Sequence, residues 1–303
     1  MNEQIWTTFK TVAELGAISR AARRLNLSTS AVSQQVTQLE QYYHCPLFLR
    51  TGHGVTLTEA GEMLYRYVLS LLNTVAESKR QIEHLHQGTS LTVSVGASFT
   101  VAEYLLPEIL PHYGQEASIR LSLTMANSQA IMDQVIHQEI SVGLIEATLT
   151  HPAAIVRPFW SDRLAVVVGR SHPFGQRSII TVEELVAEPM ILREPGSGTR
   201  MVLETSLSAV GLGLESLNIC MTLGTTQAIK AMVSAGVGIS VLSPLVISAE
   251  ESSRFHLLSV EGLDFQRNFS VVHPEEMSSA AEHFVETIVR WPWQGTLIRE
   301  DAR

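Results

Sequence analysis

Apolar residues recur at helical spacing along the N-terminal segment, and this pattern predicts two consecutive helices. The first apolar stripe runs from Ile5 to Leu15, and Gly16 ends it. A short second helix is predicted over residues 20–26, with Ser19 as its N-cap. A compact N-terminal group of helices is therefore expected.

A third helix is predicted from Ser28, a favourable N-cap, to about position 41. Val32, Val36 and Leu39 recur on one of its faces and should pack inward. Short polar side chains, which can hydrogen-bond to base edges and phosphates, occupy the opposite face, where a solvated helix more often carries Glu and Lys. They are Thr29, Ser30, Ser33, Gln34 and Thr37. We predict that this face reads DNA; an ordinary solvated face is the alternative.

Two short apolar segments after the third helix predict a β-hairpin. Residues 46–50 and 55–57 alternate in hydrophobicity around a glycine-containing turn, which places Arg50 and His53 near its tip. Helices followed by a hairpin form a winged helix-turn-helix, whose third helix enters the major groove while the hairpin contacts DNA beside it. Both side chains are candidate phosphate contacts, because a cation near DNA gains from counterion release. Solubility of the turn is the alternative.

A long amphipathic helix is predicted next, from Thr58 as N-cap to about position 87. At 1.5 Å per residue, about 30 residues extend roughly 45 Å, more than a small domain requires. Its apolar stripe has no partner within a domain as small as residues 1–57. We therefore expect this helix to pair between subunits.

From Leu91 onwards, short β-rich segments alternate with helical ones, which is typical of α/β lobes with a mostly parallel sheet. One such block covers residues 91–145 and a second covers residues 164–242. The final strand, over residues 269–273, and the helix over residues 277–290 are expected to return to the first block. Two lobes joined by crossing strands leave a cleft where strand ends and helix N-termini converge.

Charge is distributed unevenly along the chain of 303 residues, whose net charge is −9. Residues 1–57 contain five Lys or Arg and three Glu, a net +2, so the remainder carries −11. A basic N-terminal segment followed by an acidic remainder is typical of a phosphate-contacting module joined to a module that does not touch DNA. The chain lacks both a run of roughly 20 apolar residues and the pattern of a signal peptide, which predicts a cytoplasmic protein without a membrane partner.

Catalytic and metal-binding motifs are sparse. Cys45 and Cys220 lie far apart without a Cys/His cluster, so neither a disulfide framework nor a zinc site is indicated, and each is expected to be a small buried hydrophobe. The segment 196–200 matches neither a phosphate-binding loop nor a nucleophile elbow, and no H-E-x-x-H occurs. We predict no catalytic residue, no metal and no cofactor. An enzyme or small-molecule-binding α/β protein fused to a helix-turn-helix is the alternative.

Four segments, in this order and at this spacing, resemble the LysR-type transcriptional regulators, and the resemblance extends over essentially the whole chain. They are residues 16–25, 28–40, 46–50 and 57–61. The resemblance implies a ligand-responsive, sequence-specific regulator that binds double-stranded operator DNA as a homodimer or homotetramer. The expected domains are a winged helix-turn-helix over 1–57, a linker and dimerisation helix over 58–88, and a two-lobed periplasmic-binding-like effector domain over 89–303. Within the effector domain, lobe I is expected at about 89–161 and 267–303, and lobe II at about 162–266.

The second half is similar to one branch of that family, which includes regulators of sulfur assimilation and of carbon fixation. The likeness is carried by residues 96–100, 127–129, 193–200 and 223–230. Effectors in this branch tend to be small anions or phosphorylated metabolites. The recognition helix departs from the family, with Thr29-Ser30 where Gln-Pro is usual and Gln34 where Arg is usual. Gln34 favours contact with adenine over guanine.

Hydroxyl side chains in the α/β body lie where strands or turns yield to helix starts. They are Ser98, Thr100, Ser128, Thr199 and Thr225. Several helix N-termini aimed at one cleft form an anion site, to which Arg193 could add a formal charge. Simple N-capping is the alternative for each hydroxyl, and an ion pair with Glu194 or Glu146 is the alternative for Arg193. We predict that these six residues bind an anionic effector.

Overall fold

The computed structural model describes residues 3–51, 54–87, 91–116, 119–146 and 149–293. The chain divides into two units. The first comprises Met1–Thr89 with His137–Glu139, and the second comprises Ser90–Ile136 with Ile140–Arg303.

Helices and one hairpin build the first unit in the order that the hydrophobic pattern predicts. The elements are α1 (Glu3–Leu15), α2 (Ile18–Leu25), α3 (Thr29–Tyr43), β1 (Phe48–Thr51), β2 (Gly54–Leu57) and α4 (Glu59–Gln87). Strands β1 and β2 pair antiparallel. This is a winged helix-turn-helix followed by a long helix, which confirms the predicted architecture.

Two of the three predicted helix caps of this unit are present. The Ser28 hydroxyl accepts a hydrogen bond from the Ala31 N–H at 3.1 Å, and the Thr58 hydroxyl accepts one from the Gly61 N–H at 3.0 Å. Ser19 does not cap α2, which begins at Ile18 after an extended residue that makes no side-chain cap. The prediction was wrong because the helix begins earlier: the Ala17 carbonyl already accepts the Ala21 N–H at 3.0 Å, so Ser19 lies inside the first turn.

The second unit contains two α/β lobes. Its first part comprises β3 (Leu91–Ala97), α5 (Leu106–Glu116), β4 (Ile119–Met125), α6 (Ser128–Ile136), β5 (Val142–Ile145) and β6 (Ile155–Arg163). Then follow β7 (Ala165–Gly169), β8 (Ile179–Ile180), α7 (Val182–Ala187), β9 (Met190–Arg193), α8 (Gly198–Ala209) and β10 (Ile219–Leu223). The last elements are α9 (Thr226–Ser234), β11 (Ser240–Leu242), β12 (Phe255–Val260), β13 (Gln266–His273) and α10 (Ser279–Arg290). A π-helical turn, Val101–Leu105, leads into α5.

Lobe I is built on a five-stranded sheet of order β4-β3-β5-β13-β6. Strand β3 is parallel to β4 and β5, whereas β13 is antiparallel to both β5 and β6. Strand β13 and α10 therefore return to the first lobe, as predicted. Four strands of this sheet run in one direction and β13 runs in the opposite direction, so the sheet is mostly parallel, as predicted.

Lobe II contains a four-stranded sheet of order β11-β7-β12-β8 and the parallel pair β9 and β10. The Ile191 N–H donates to the Ile239 carbonyl at 2.8 Å, which links β9 to the chain just before β11. The two lobes have separate cores: one surrounds Phe269 and Phe284, and the other surrounds Val166 and Leu203. The Leu164 N–H donates to the Phe265 carbonyl at 3.1 Å, where the two crossing segments run side by side.

Candidate DNA-binding and effector sites

The predicted reading face of α3 is open to solvent. Val32, Val36 and Leu39 on the inward face are buried against the other helices, as their spacing predicts. Thr29, Ser30, Gln34 and Thr37 are exposed, and Ser33 is half-buried. The Ser30 hydroxyl lies 2.9 Å from the Ser28 hydroxyl, so one of the five side chains is engaged with the helix cap. Among the described residues, none of the other four side chains makes a hydrogen bond.

The hairpin β1–β2 carries Arg50 and belongs to the same unit as α3. Arg50 is exposed and faces Val55 in the β1–β2 register. His53 lies outside the described residues. Gly54 is held close to the helices: a Cβ atom there would lie 2.2 Å from the Gly16 carbonyl oxygen. The hairpin is therefore fixed against the turn before α2.

Three further cations are exposed on α2: Arg20, Arg23 and Arg24. The charge count of the sequence includes them, but no motif singled them out as site residues. They extend the positive potential of the unit beyond Arg50. The sequence signal that could have identified these residues is the presence of three arginines on one short helix.

The predicted effector residues meet where the two lobes of the second unit touch. The Ser98 N–H donates to the Leu144 carbonyl at 2.9 Å, which places the end of β3 beside the end of β5. The guanidinium of Arg193, at the end of β9, lies 5.3 Å from the centre of the Phe99 ring. From lobe I, the Gln129 N–H donates to the Gly196 carbonyl of lobe II at 3.1 Å. These contacts place the end of β9 beside the end of β3, and the turn before α8 beside the start of α6.

The start of α8 is packed tightly against lobe I. A Cβ atom on Gly198 would lie 2.3 Å from the Glu146 carbonyl oxygen, closer than any side chain could approach. Gly196, in the turn before α8, has φ +86°, which a side chain rarely adopts. Both glycines therefore allow the turn between β9 and α8 to approach the end of β5.

Arg193 is buried and forms the ion pair with Glu194 that the sequence left as an alternative. Its Nε and one Nη donate to the two carboxylate oxygens at 2.8 and 3.0 Å. The other Nη donates to the Thr226 hydroxyl at 3.4 Å, a long contact. Thr226 was not predicted as a site residue, although it directly follows Thr225, which was. One edge of the guanidinium is thus only weakly engaged.

Two buried hydroxyls in this region have no hydrogen-bond partner among the residues that the structure describes. Ser98 and Ser197 are each 1% exposed, and their Oγ atoms are unpaired. Ser197 precedes α8 and makes no side-chain cap. Thr100 is also buried and makes no side-chain cap at the π-helical turn. A buried polar atom without a partner costs about 1–3 kcal/mol, so a ligand or water that pairs with Ser98 and Ser197 would remove this penalty.

The other predicted hydroxyls accept hydrogen bonds from the protein. Ser128 accepts from the Glu146 N–H at 3.2 Å, and Thr199 accepts from a guanidinium Nη of Arg267 at 3.1 Å. Thr225 is exposed and caps α9 by accepting from the Ala228 N–H at 3.3 Å, as the capping alternative predicts. In the described part of the chain, none of the three donates its own proton to a protein acceptor.

Arg267 holds a buried ionic cluster beside Thr199. Its side chain is 0% exposed, and its guanidinium lies 3.1 Å from a Glu146 oxygen and 2.9 Å from an Asp162 oxygen. The guanidinium also stacks over the Phe269 ring at 4.8 Å. Sequence reasoning missed Arg267, because its partners lie far away along the chain and no local motif surrounds it.

A second contact between the lobes is made by Tyr104 in the π-helical turn. Its hydroxyl accepts from the Gln227 side-chain amide at 2.9 Å. Burial, with smaller contributions from Glu103 and Glu251, raises the pKa of Tyr104 to about 12. The phenol therefore stays neutral at physiological pH and can keep this hydrogen bond.

Other sequence expectations concern chemistry outside the cleft. Cys45 is half-buried, but Cys220 is exposed on β10, so the expectation of a buried thiol was wrong there. Ile219, Cys220 and Thr222 of β10 are all exposed, because no other element packs over these side chains in the described part of the chain. In the described ranges, no three His, Cys, Asp or Glu side chains are arranged to hold a metal ion. None of the described helices has the length and apolar character needed to cross a bilayer.

Comparison with known proteins agrees with both units. A family model described as "Bacterial regulatory helix-turn-helix protein, lysR family" matches residues 5–62, and one described as "LysR substrate binding domain" matches residues 86–292. The HTH-type transcriptional regulator CysL of Bacillus subtilis is 27% identical, with 99% of this chain and 100% of CysL covered. A probable RuBisCO transcriptional regulator of Trichormus variabilis is 31% identical, with 92% and 85% covered. The structure of full-length CbnR complexed with target DNA matches with a TM-score of 0.69 at 21% identity, with 96% and 99% covered.

Proposed function

The chain belongs to the LysR family of bacterial helix-turn-helix transcriptional regulators, and from this premise we propose which of its surfaces bind DNA, effector and a second subunit. The predicted site residues are the starting point. Each proposal below has its own experiment, so that one can fail without the others.

We propose that the DNA interface consists of the reading face of α3 and Arg50 on the hairpin. The carrying observation is the exposed row of short polar side chains opposite the buried Val32 and Val36. The full-length relative CbnR, whose structure was determined with its target DNA, supports the comparison at the level of the fold. Ser33 and Gln34 are the proposed base contacts, and Arg50 and His53 are proposed phosphate contacts.

The test uses a high-affinity sequence selected by the full chain from a random double-stranded library. Gln34→Glu should weaken binding to this sequence at least tenfold in a gel-shift titration, because it places a carboxylate against the bases and phosphates. Gln176→Glu adds the same charge at an exposed turn of the second unit and is the matched control. Equal affinity of both variants would exclude α3 as the reading helix.

We propose that the chain forms a homodimer or homotetramer through α4. The helix exposes Met63, Tyr67, Leu71 and Ile82, which lie along one stripe and range from 43% to 70% exposed. Leu71→Lys should yield smaller assemblies in light scattering. Ala76→Lys, which introduces the same side chain at an exposed position on the opposite face of the helix, should leave the mass unchanged. A wild-type chain that is monomeric at micromolar concentration would contradict this assignment.

We propose that the cleft between the lobes binds a small anion, either an inorganic oxyanion or a phosphorylated metabolite. The carrying observation is that the hydroxyls gathered there have protons to donate. Ser98 and Ser197 have no partner, whereas Ser128 and Thr199 accept from the protein and keep their own O–H free. Such a set favours a ligand rich in acceptors, and the weakly engaged edge of Arg193 adds positive charge. Thr100 and Thr225 complete the proposed set.

Thermal denaturation of the full chain tests this assignment, because a ligand that binds the folded state raises the melting temperature. Phosphate and sulfate are compared with dimethyl sulfone, a neutral molecule of similar size, at constant ionic strength. Thr199→Val should abolish the shift caused by the anions, whereas Thr205→Val on the exposed side of the same helix should not. A shift caused only by neutral or aromatic compounds would exclude the anion site and leave the regulator assignment intact.

We further propose that the bound molecule is not transformed and that the protein acts in the cytoplasm. The relatives are named as transcriptional regulators, which supports a binding role for the cleft. An enzyme fused to a helix-turn-helix would convert its ligand. Nuclear magnetic resonance of the ligand after long incubation with the full chain distinguishes the two.

A further inference from the structure

The cleft contains a carboxylate as well as hydroxyl donors. Glu146 follows β5 and is 1% exposed. Its backbone N–H is held by Ser128, and the start of α8 packs directly over its carbonyl and side chain. Glu146 is therefore part of the same junction as the hydroxyls proposed to bind the anion.

The Glu146 carboxylate is only partly satisfied by the protein. Its Oε2 lies 3.1 Å from Nη1 of Arg267, but accepts no hydrogen bond from it. That nitrogen donates instead to Thr199, while Nη2 of Arg267 is engaged by Asp162. A buried acceptor is thus left without a donor. The cluster combines two carboxylates with one guanidinium, so its formal charge is −1.

Unpaired donors and an unpaired acceptor occur together at this junction. Ser98 Oγ, Ser197 Oγ and Nε of Arg267 can each donate to a ligand, whereas Glu146 Oε2 can only accept. An oxyanion without protons satisfies the donors but faces the carboxylate with another acceptor. Two acceptors in contact repel each other, and the repulsion is strong where water is excluded.

From these contacts we infer that Glu146 is a specificity residue, which selects anions that carry a hydrogen-bond donor. This inference rests on the proposed anion site. The favoured class comprises partly protonated oxyanions such as hydrogen phosphate, and acids with a hydroxyl beside the charged group. Fully deprotonated oxyanions of the same shape bind more weakly.

Phosphate and sulfate form a suitable pair of probes, because both are tetrahedral and of similar size. At pH 6.5 phosphate retains at least one proton and sulfate retains none. One hydrogen bond to a charged group contributes about 1.5–3 kcal/mol, which corresponds to roughly 10- to 100-fold in affinity. Isothermal titration of the full-length protein should therefore give a dissociation constant for phosphate that is about 10- to 100-fold lower than that for sulfate.

Glu146→Gln supplies an amide that both accepts and donates, so it should reduce this preference to about threefold or less. Asp162→Asn is the matched control, because it also removes a carboxylate from Arg267. Its native Oδ1 accepts from the Arg163 N–H at 2.7 Å and its Oδ2 accepts from Arg267 at 2.9 Å, so both of its oxygens have donors. Asp162→Asn should leave the phosphate-to-sulfate ratio unchanged, even if it lowers the melting temperature.

Different outcomes would exclude the anion site and the role of Glu146. If the wild-type protein binds neither ion, the oxyanion site itself is wrong. If it binds both equally, prefers sulfate, or keeps its phosphate preference in Glu146→Gln, the anion site stands and the role of Glu146 is overturned. If Asp162→Asn reduces the ratio as much as Glu146→Gln does, the net charge of the cluster sets the preference and the assignment to Glu146 also fails.

Discussion

Replacing Arg267 by methionine tests how much the buried ionic cluster contributes to the free energy of unfolding of the second unit. Methionine fills a similar volume, so the substitution removes the charge with little loss of packing. It leaves Glu146 and Asp162 as neighbouring buried carboxylates and deprives Thr199 of its donor. The guanidinium is also lost from the face of the Phe269 ring.

Removing one partner from a buried ion pair typically costs about 3–5 kcal/mol, because the other charge stays buried without compensation. Glu146 is almost completely enclosed here, and Asp162 is 8% exposed at its side chain. We therefore expect Arg267→Met to lower the free energy of unfolding of this unit by about 4 kcal/mol. With a urea dependence of about 2–3 kcal/mol/M, the midpoint should fall by about 1.3–2 M.

Tryptophan fluorescence can report on this unit alone. Trp160, Trp291 and Trp293 all lie in or against the core of lobe I, and Trp6 lies in the first unit. Urea titration of the full chain in a Trp6→Phe background therefore follows the unfolding of the second unit. The same titration at several protein concentrations separates unfolding from subunit dissociation.

A triple variant provides the control. Adding Glu146→Gln and Asp162→Asn to Arg267→Met removes the two uncompensated charges, and it should restore at least half of the lost stability. A loss below about 1 kcal/mol for Arg267→Met, or no recovery in the triple variant, would show that the carboxylates are not buried as charges. The ionic account of this junction would then be wrong.

Three further predictions concern other parts of the molecule. The hydrogen bond from buried Lys230 is the largest cause that lowers the pKa of Glu251, so this carboxylate stabilises the fold above its unfolded pKa. Glu251→Gln should therefore lower the melting temperature at pH 7, and the difference from wild type should disappear as pH falls below about 4. Gly61→Ala would place a Cβ 2.1 Å from a backbone carbonyl oxygen of the segment before β1. It should destabilise the first unit by about 1–3 kcal/mol in a denaturant titration. Gly224→Ala, where a Cβ would meet no atom within 4 Å, should leave the free energy of unfolding unchanged. Arg50→Ala should weaken specific and non-specific DNA binding alike. It should also reduce the slope of log K against log salt concentration by the amount expected for about one phosphate contact. A loss of affinity confined to one operator sequence would instead indicate that Arg50 contacts bases.

Features set by local chemistry were predictable from the sequence. Ser28 and Thr58 cap their helices because a cap depends on a few consecutive residues. The inward face of α3 also follows directly from its helical period. Strand β6 was missed because Pro158 interrupts it, which is tolerated only because this strand ends its sheet.

The cleft could be predicted only in outline. The predicted helix starts identified the candidate hydroxyls. Which of these hydroxyls lack a hydrogen-bond partner depends on contacts between residues far apart along the chain. Thr199 meets Arg267, and Ser128 meets Glu146, through pairing of elements that no local pattern connects. The unpaired state of Ser197 was likewise invisible, because a serine before a helix normally caps it.

The position of β13 has a consequence for the order in which the protein can be made. In the lobe I sheet, β13 lies between β5 and β6, although lobe II separates it from β6 in the sequence. A nascent chain therefore carries β6 without its only sheet neighbour until about 100 further residues are synthesised, roughly 5–20 s at bacterial rates. Lobe II can close on itself during that interval, since its strands are contiguous along the chain. Lobe I must wait for the last strand, so premature release of the chain would leave β6 as an unpaired strand open to aggregation.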